Sequence, residues 1–230
     1  MGAVIEGLHR ACRDAQAKWG ISADLILCFL RHLSEDEALE TLEEAMPWRD
    51  QFIGVGLDSS EVEHPPEKFA RVFARARELG LHAVAHAGEE GPPAYIWGAL
   101  DTLQVERIDH GVQAVHDAAL MKRLADSQMP LTVCPLSNLK LCVFNSLSEH
   151  TLGQMLDAGL RVTINSDDPA YFGGYLNENY LQTFAALHLN AQQAYKLAAN
   201  SIEASFAPEE DKHRWMHELK ACFQGYAEND

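Results

Sequence analysis

Six short apolar runs, each parted from the next by a longer segment of helical period, set the first limit on how this chain can fold. They occupy residues 25–30, 52–57, 82–86, 107–110, 131–134 and 161–165. Short apolar runs of this kind, alternating with helices, are the pattern of successive βα units around a parallel sheet. Between the first two runs, Ser34 and Glu37 form a capping box. Ala38, Leu39, Leu42 and Ala45 then recur at helical spacing up to Pro47. Further helices are expected over 4–18, 66–79, 93–103, 118–128 and 151–158. Three more follow the last strand, at 177–189, 191–205 and 209–224. The count alone fits two architectures, an open doubly wound sheet or part of a (β/α) barrel, which needs about eight strands and 250 residues. In the barrel reading these are strands 3–8 of a TIM-type α/β barrel with extra C-terminal helices, and residues 1–230 form a single domain lacking the two front strands.

The net charge of −16 repels a nucleic-acid backbone or an anionic membrane, and so favours a small neutral ligand. No stretch approaches the roughly 20 apolar residues that span a bilayer, and the opening residues lack a basic region followed by an apolar run. A cytoplasmic chain is expected. Cys12, Cys28, Cys134, Cys142 and Cys222 are odd in number and widely spaced, mostly within apolar runs. This predicts reduced thiols in the core.

Chemistry gathers where the strands end. The third run finishes in His86-Ala-Gly-Glu89-Glu90, the fourth in Asp109-His110-Gly111, and the sixth leads into Ser166-Asp167-Asp168-Pro169. In a barrel these ends open onto one rim, the usual seat of catalytic residues. Ionisable groups at the ends of apolar strands are costly without partners, and a shared metal supplies one. Imidazole and carboxylate suit zinc, so His86 and Asp167 are candidate ligands. Glu89 is a candidate proton carrier, His110 a group to orient or deprotonate an attacking water, and Asp168 a substrate contact. A plainer reading stands beside each. His32, His82 or His188 alone is better explained as a core or capping group, Asp-Asp-Pro can be a helix start, and His-Ala-Gly-Glu can be a turn. Three such clusters at strand ends weigh against coincidence.

Four motifs, His86-Ala-Gly-Glu89, Arg107-Ile-Asp-His-Gly111, Cys134-Pro-Leu-Ser-Asn138 and Asn165-Ser-Asp-Asp-Pro169, resemble in order those of the adenosine and adenine deaminases of the amidohydrolase superfamily. The resemblance covers essentially the whole chain. It implies the barrel, one Zn²⁺ per chain held in part by His86 and Asp167, and hydrolytic removal of a purine 6-amino group as ammonia. By the same resemblance Glu89 passes a proton to ring N1, His110 assists the attack of water on C6, and Asp168 bonds N7. Ser137 and Asn138 are assigned no role. The Pro-Cys-x-x-Cys signature of the other zinc deaminases is absent.

Ser59 and Ser60, where the nucleoside-specific branch has a more open stretch, make these residues candidate pocket positions. With Gly91-Pro-Pro-Ala-Tyr-Ile96 and Ala170-Tyr-Phe-Gly-Gly-Tyr175 they resemble the adenine-specific branch of bacteria and fungi. Adenine to hypoxanthine in purine salvage is therefore the expected reaction, with a small purine base as partner. Adenosine to inosine and a non-catalytic purine-binding protein are the alternatives. Tyr95, Tyr171 and Phe172 either narrow the site or pack its rim. The family also uses a His-x-His pair on its first strand, and none occurs in these 230 residues. The isolated chain is accordingly expected to bind zinc weakly and to deaminate little.

Overall fold

A computed structural model describes residues 1–227. Six strands follow one another through the sheet in chain order. The chain divides into two compact units, Met1–Ile108 and the residues from Asp109 onward.

The first unit opens on α1 (Gly2–Trp19), which ends where Gly20 turns left-handed at φ 69° and its N–H reaches Gln16 O. Strand β1 (Ile26–Leu30) pairs in parallel with β2 (Gly54–Asp58), which pairs in parallel with β3 (His82–Ala87). Helix α2 (Glu35–Ala45) starts at Ser34 with both arms of the expected capping box formed. The helix expected over 66–79 is instead a 3-10 turn, Pro66–Phe69, followed by α3 (Ala70–Glu78). Pro66 has no N–H to give, and the backbone at Phe69 departs from helical angles at φ −111°. Helix α4 (Pro93–Gly98) loosens into a π turn over Ala99–Leu103. Phe29 and Phe73 meet edge to face at 6.1 Å in a core that also buries Val55, Leu57, Val72, Ala83 and Ile96. Both faces of β2 are buried, as expected of a strand in a parallel sheet, whereas β1 leaves Cys28 and Leu30 exposed.

Strand β4 (Arg107–His110) carries the chain into the second unit, where β5 (Pro130–Val133) and β6 (Arg161–Ile164) pair in parallel from Pro130↔Arg161 to Val133↔Ile164. Asp117 caps α5 (Ala118–Ser127) by accepting from the N–H groups of Ala119 and Leu120. Two short helices follow strands: α6 (Pro135–Lys140), directly after β5 and with no counterpart in the sequence reading, and α8 (Pro169–Phe172), after β6, at the helix start that Asp-Asp-Pro allowed, with α7 (Leu152–Asp157) between them. Each of the two places proline at its first position, where the missing N–H costs nothing. Helices α9 (Leu176–Leu187), α10 (Ala191–Ala204) and α11 (Glu209–Ala227) match the three expected after the last strand. Asn200 on α10 donates from Nδ2 to Val162 O at 2.8 Å, tying that helix to β6.

The cysteine expectation fails in part. Only Cys134 is buried; Cys12 is half-buried, and Cys28, Cys142 and Cys222 are exposed. Among the described residues no helix is long and apolar enough to cross a membrane.

Candidate active site

Each unit brings part of the candidate set together. In the first, β3 delivers His86, half-buried at the strand end, and the turn that follows delivers Glu89, which is buried. The Glu61 carboxylate, itself buried, shapes that turn. Its Oε1 accepts from Gly88 N at 2.5 Å, and its Oε2 accepts from the N–H groups of Glu89, Glu90 and Gly91, each at 2.9 Å. Four convergent N–H groups around one carboxylate make an anion nest, here filled by the protein itself. Gly88 sits at φ 70°, and a Cβ on Gly91 would lie 2.8 Å from Glu61 Oε1, so both glycines are needed for the wrap.

Behind the turn, Arg31 is fully buried. Its Nη1 donates to His86 O at 2.7 Å, while Nε and Nη2 donate to His64 O at 2.9 and 2.7 Å. Burial draws its pKa below the ordinary value, and the nearby Glu61 carboxylate opposes that. Tyr95 lies over the Arg31 guanidinium at 5.8 Å, so that tyrosine packs against the support of the turn. Ser59 and Ser60 are exposed just after β2. Ser59 holds a left-handed backbone at φ 76°, and its hydroxyl meets His32 Nδ1 at 2.8 Å.

In the second unit His110 ends β4 and Asp167 follows β6, both with left-handed backbones, at φ 66° and 56°. Such a conformation costs a non-glycine residue about 1–3 kcal/mol and persists where surroundings impose it; at Gln104, Gln128 and His188 it only closes a helix. His110 is buried, and its Nε2 stands 3.8 Å from Asp167 Oδ2. Ser137, at the start of α6, donates its hydroxyl to that same oxygen at 2.7 Å. One ligand atom each from His110, Cys134 and Asp167 lies within 4.8 Å of the others. Imidazole, thiolate and carboxylate are all zinc donors, so this cluster has the chemistry to hold such an ion. Asp168 accepts from Tyr171 N at 3.1 Å and caps α8, as the plain reading of Asp-Asp-Pro expects, while remaining exposed. Tyr171 is exposed too, with Phe172 packed edge to face against it at 5.0 Å.

Three residues that the sequence reading gave no role stand next to these groups. Asn138 Nδ2 lies 3.1 Å from His110 Nδ1, and Asn138 Oδ1 lies 3.2 Å from His150 Nε2. His150 Nδ1 accepts from Leu152 N at 3.0 Å. Ser137 and Asn138 belong to the Cys-Pro-Leu-Ser-Asn motif, but His150 belongs to none.

His150 is buried against Phe144, and burial pushes its pKa from 6.5 down to about 4. The unfolded chain therefore takes up a proton near pH 6.5 that the folded chain refuses until about pH 4. Stability from this residue is complete above about 6.5 and falls as the pH drops through that window, by about 3 kcal/mol in all. Urea unfolding across the window should show that decline in the native protein and a shallower one in His150→Gln. Equal slopes would contradict the assignment.

Comparison with known proteins gives the family. The adenosine deaminase family profile matches residues 1–222. The chain belongs to the adenosine deaminase family. It is 65% identical over 223 residues to an adenine deaminase of Albidiferax ferrireducens, covering 97% of this chain and 65% of the relative. To that of Hahella chejuensis it is 62% identical over 226 residues, 98% of this chain and 68% of the relative. The chain thus spans about two thirds of the length of these curated relatives. The crystal structure of an adenine deaminase from Arthrobacter aurescens superposes with a TM-score of 0.94 at 46% identity, over 96% of this chain and 68% of that one. A zinc-bound amidohydrolase from Burkholderia ambifaria gives 0.89 at 29% identity, over 95% and 61%. These likenesses decide between the two architectures left open by the strand count: the parallel strands and their helices belong to the amidohydrolase (β/α) barrel.

Proposed function

We propose that this chain carries the proton-transfer and purine-facing residues of a zinc-dependent adenine deaminase, converting adenine and water to hypoxanthine and ammonia. The observation that carries the reading is the meeting of His110 and Asp167 at the ends of β4 and β6, both in left-handed backbone, with one Asp167 oxygen fixed by Ser137. The curated relatives named adenine deaminase, at 62–65% identity, support the choice of reaction.

His86 and Asp167 would hold one zinc ion, which when bound acidifies a water and polarises the reacting centre. The protein's side chains do the rest. Glu89, buried on a turn whose backbone Glu61 fixes, hands a proton to ring N1. His110 faces the Asp167 carboxylate and holds the attacking water there. Asp168, exposed at the head of α8, bonds ring N7 of the base. Ser59, with its hydroxyl steadied by His32, and Ser60 fill space at the rim that a ribose would need. A net charge of −16 suits a small neutral base over a polyanion, and we place the reaction in the cytoplasm.

The test is a graft. The chain replaces the matching 65% of the Albidiferax relative, and the zinc-loaded product is offered adenine and adenosine in turn. Hypoxanthine and ammonia should form from adenine, with kcat/KM for adenosine lower by about tenfold or more, a pocket-fit effect of the usual size. Comparable turnover of the two would overturn the adenine assignment.

A further inference from the structure

We propose that Asn138 and His150 form a relay that holds His110 in its Nε2–H tautomer, which makes both of them positioning residues for the site. The wiring follows from which atoms can only donate. A backbone N–H has no other option, so Leu152 N, 3.0 Å from His150 Nδ1, requires a lone pair there. Neutral His150 then carries its proton on Nε2 and donates it to Asn138 Oδ1 at 3.2 Å. With that oxygen turned to His150, the amide nitrogen of Asn138 faces His110 Nδ1 at 3.1 Å, and an amide NH₂ can only donate. His110 Nδ1 is therefore the acceptor, and the imidazole proton sits on Nε2, the nitrogen that faces Asp167 Oδ2.

Burial enforces the order. His110, Asn138 and His150 are 1%, 0% and 4% exposed, so water offers little relief to a miswired pair. Inverting the Asn138 amide would set donor against donor at His150 and leave buried groups unsatisfied. Burial also lowers the pKa of His150 and so keeps the ring neutral, which leaves Nδ1 its lone pair for the Leu152 N–H. One backbone amide at the start of α7 thus dictates, through two side chains, which nitrogen of His110 bears hydrogen. The sequence had left His110 either to orient or to deprotonate a water. An Nε2–H presented toward Asp167 orients an oxygen by donating to it, and that nitrogen has no lone pair to accept a proton. This consequence for turnover rests on the deaminase reading above, whereas the tautomer does not.

The test is long-range ¹H–¹⁵N spectroscopy of the ¹⁵N-labelled 230-residue chain, at a pH well above the ordinary imidazole value of about 6.5. Substitution of single histidines assigns His110 and His150 among the eleven. Both should show a protonated Nε2 and a bare Nδ1. In His150→Phe, which keeps a ring but removes donor and acceptor, Asn138 Oδ1 loses the His150 donor that fixes the orientation of the amide, and the Nδ1–H form of His110 should rise several-fold. His150→Gln, whose amide can still donate to Asn138, should restore the native pattern. A protonated Nδ1 on His110 in the native chain overturns the relay, as does an unchanged His110 in folded His150→Phe. If that variant does not fold, the native spectrum alone decides. No enzymatic turnover enters these readings, so the relay and the deaminase assignment fail or stand separately.

Discussion

Replacing Glu89 by glutamine in the grafted enzyme should lower turnover of adenine by about 10²–10⁴-fold, the range that a positioned acid or base contributes. Glutamine matches glutamate in size and keeps the Glu89 backbone N–H on Glu61 Oε2, so the turn and the buried side-chain volume survive the change. What is lost is the proton that the carboxyl can pass to the ring nitrogen. Zinc content and the unfolding midpoint should stay near native values while kcat collapses. The three readings together separate a chemical role from a structural one. Turnover within a few-fold of native, in a folded zinc-loaded variant, would remove Glu89 from the reaction.

The second large effect is on stability. Glu61→Ala should cost about 3–5 kcal/mol, because a buried carboxylate that four N–H groups surround leaves all four without an acceptor when it goes. Those donors belong to Gly88, Glu89, Glu90 and Gly91, so the loss falls on the turn that carries Glu89. It also takes away the carboxylate that offsets the burial of the Arg31 guanidinium. Glu61→Gln should cost less, about 1–3 kcal/mol. Its amide oxygen can still serve the three N–H groups on the Oε2 side, while its NH₂ opposes the Gly88 N–H. Urea unfolding with an unchanged denaturant slope would register both losses. A Glu61→Ala variant within about 1 kcal/mol of native would show that water takes over the nest.

How much of this could be read from the chain depends on the distance over which each feature is encoded. The strands and the long helices follow from local period, and the Ser34–Glu37 box spans four residues; most ends lie within a residue or two of expectation, but α3 begins four residues late, α4 gives way to the π turn five residues early and α11 runs three residues further. The short helix α6 was not legible, because six residues beginning with proline carry no helical period, and α8 was marked only by its Asp-Asp-Pro start. The residues named for the site stood out because each motif is contiguous. Their supports are not contiguous. Glu61 reaches 27–30 residues along the chain to its four donors, and Arg31 reaches 55 to His86 O, so no local pattern marks either. His150 sits twelve residues from Asn138, outside every motif, and in the sequence it stands in the largely polar stretch Ser146-Leu-Ser-Glu-His-Thr151, with nothing to set it apart. The exposure of Cys28 has a related cause. Cys28 lies in an apolar run, but that run is β1, the first strand in the sheet order, whose burial is incomplete.

The reading as a whole turns on metal-dependent release of ammonia from adenine by the grafted protein. Ammonia and hypoxanthine should appear in equal amounts, cease on treatment with a chelator, and return with one equivalent of zinc per chain. A folded graft that binds zinc yet releases no ammonia from adenine, or one whose ammonia release is indifferent to the chelator, would contradict the account.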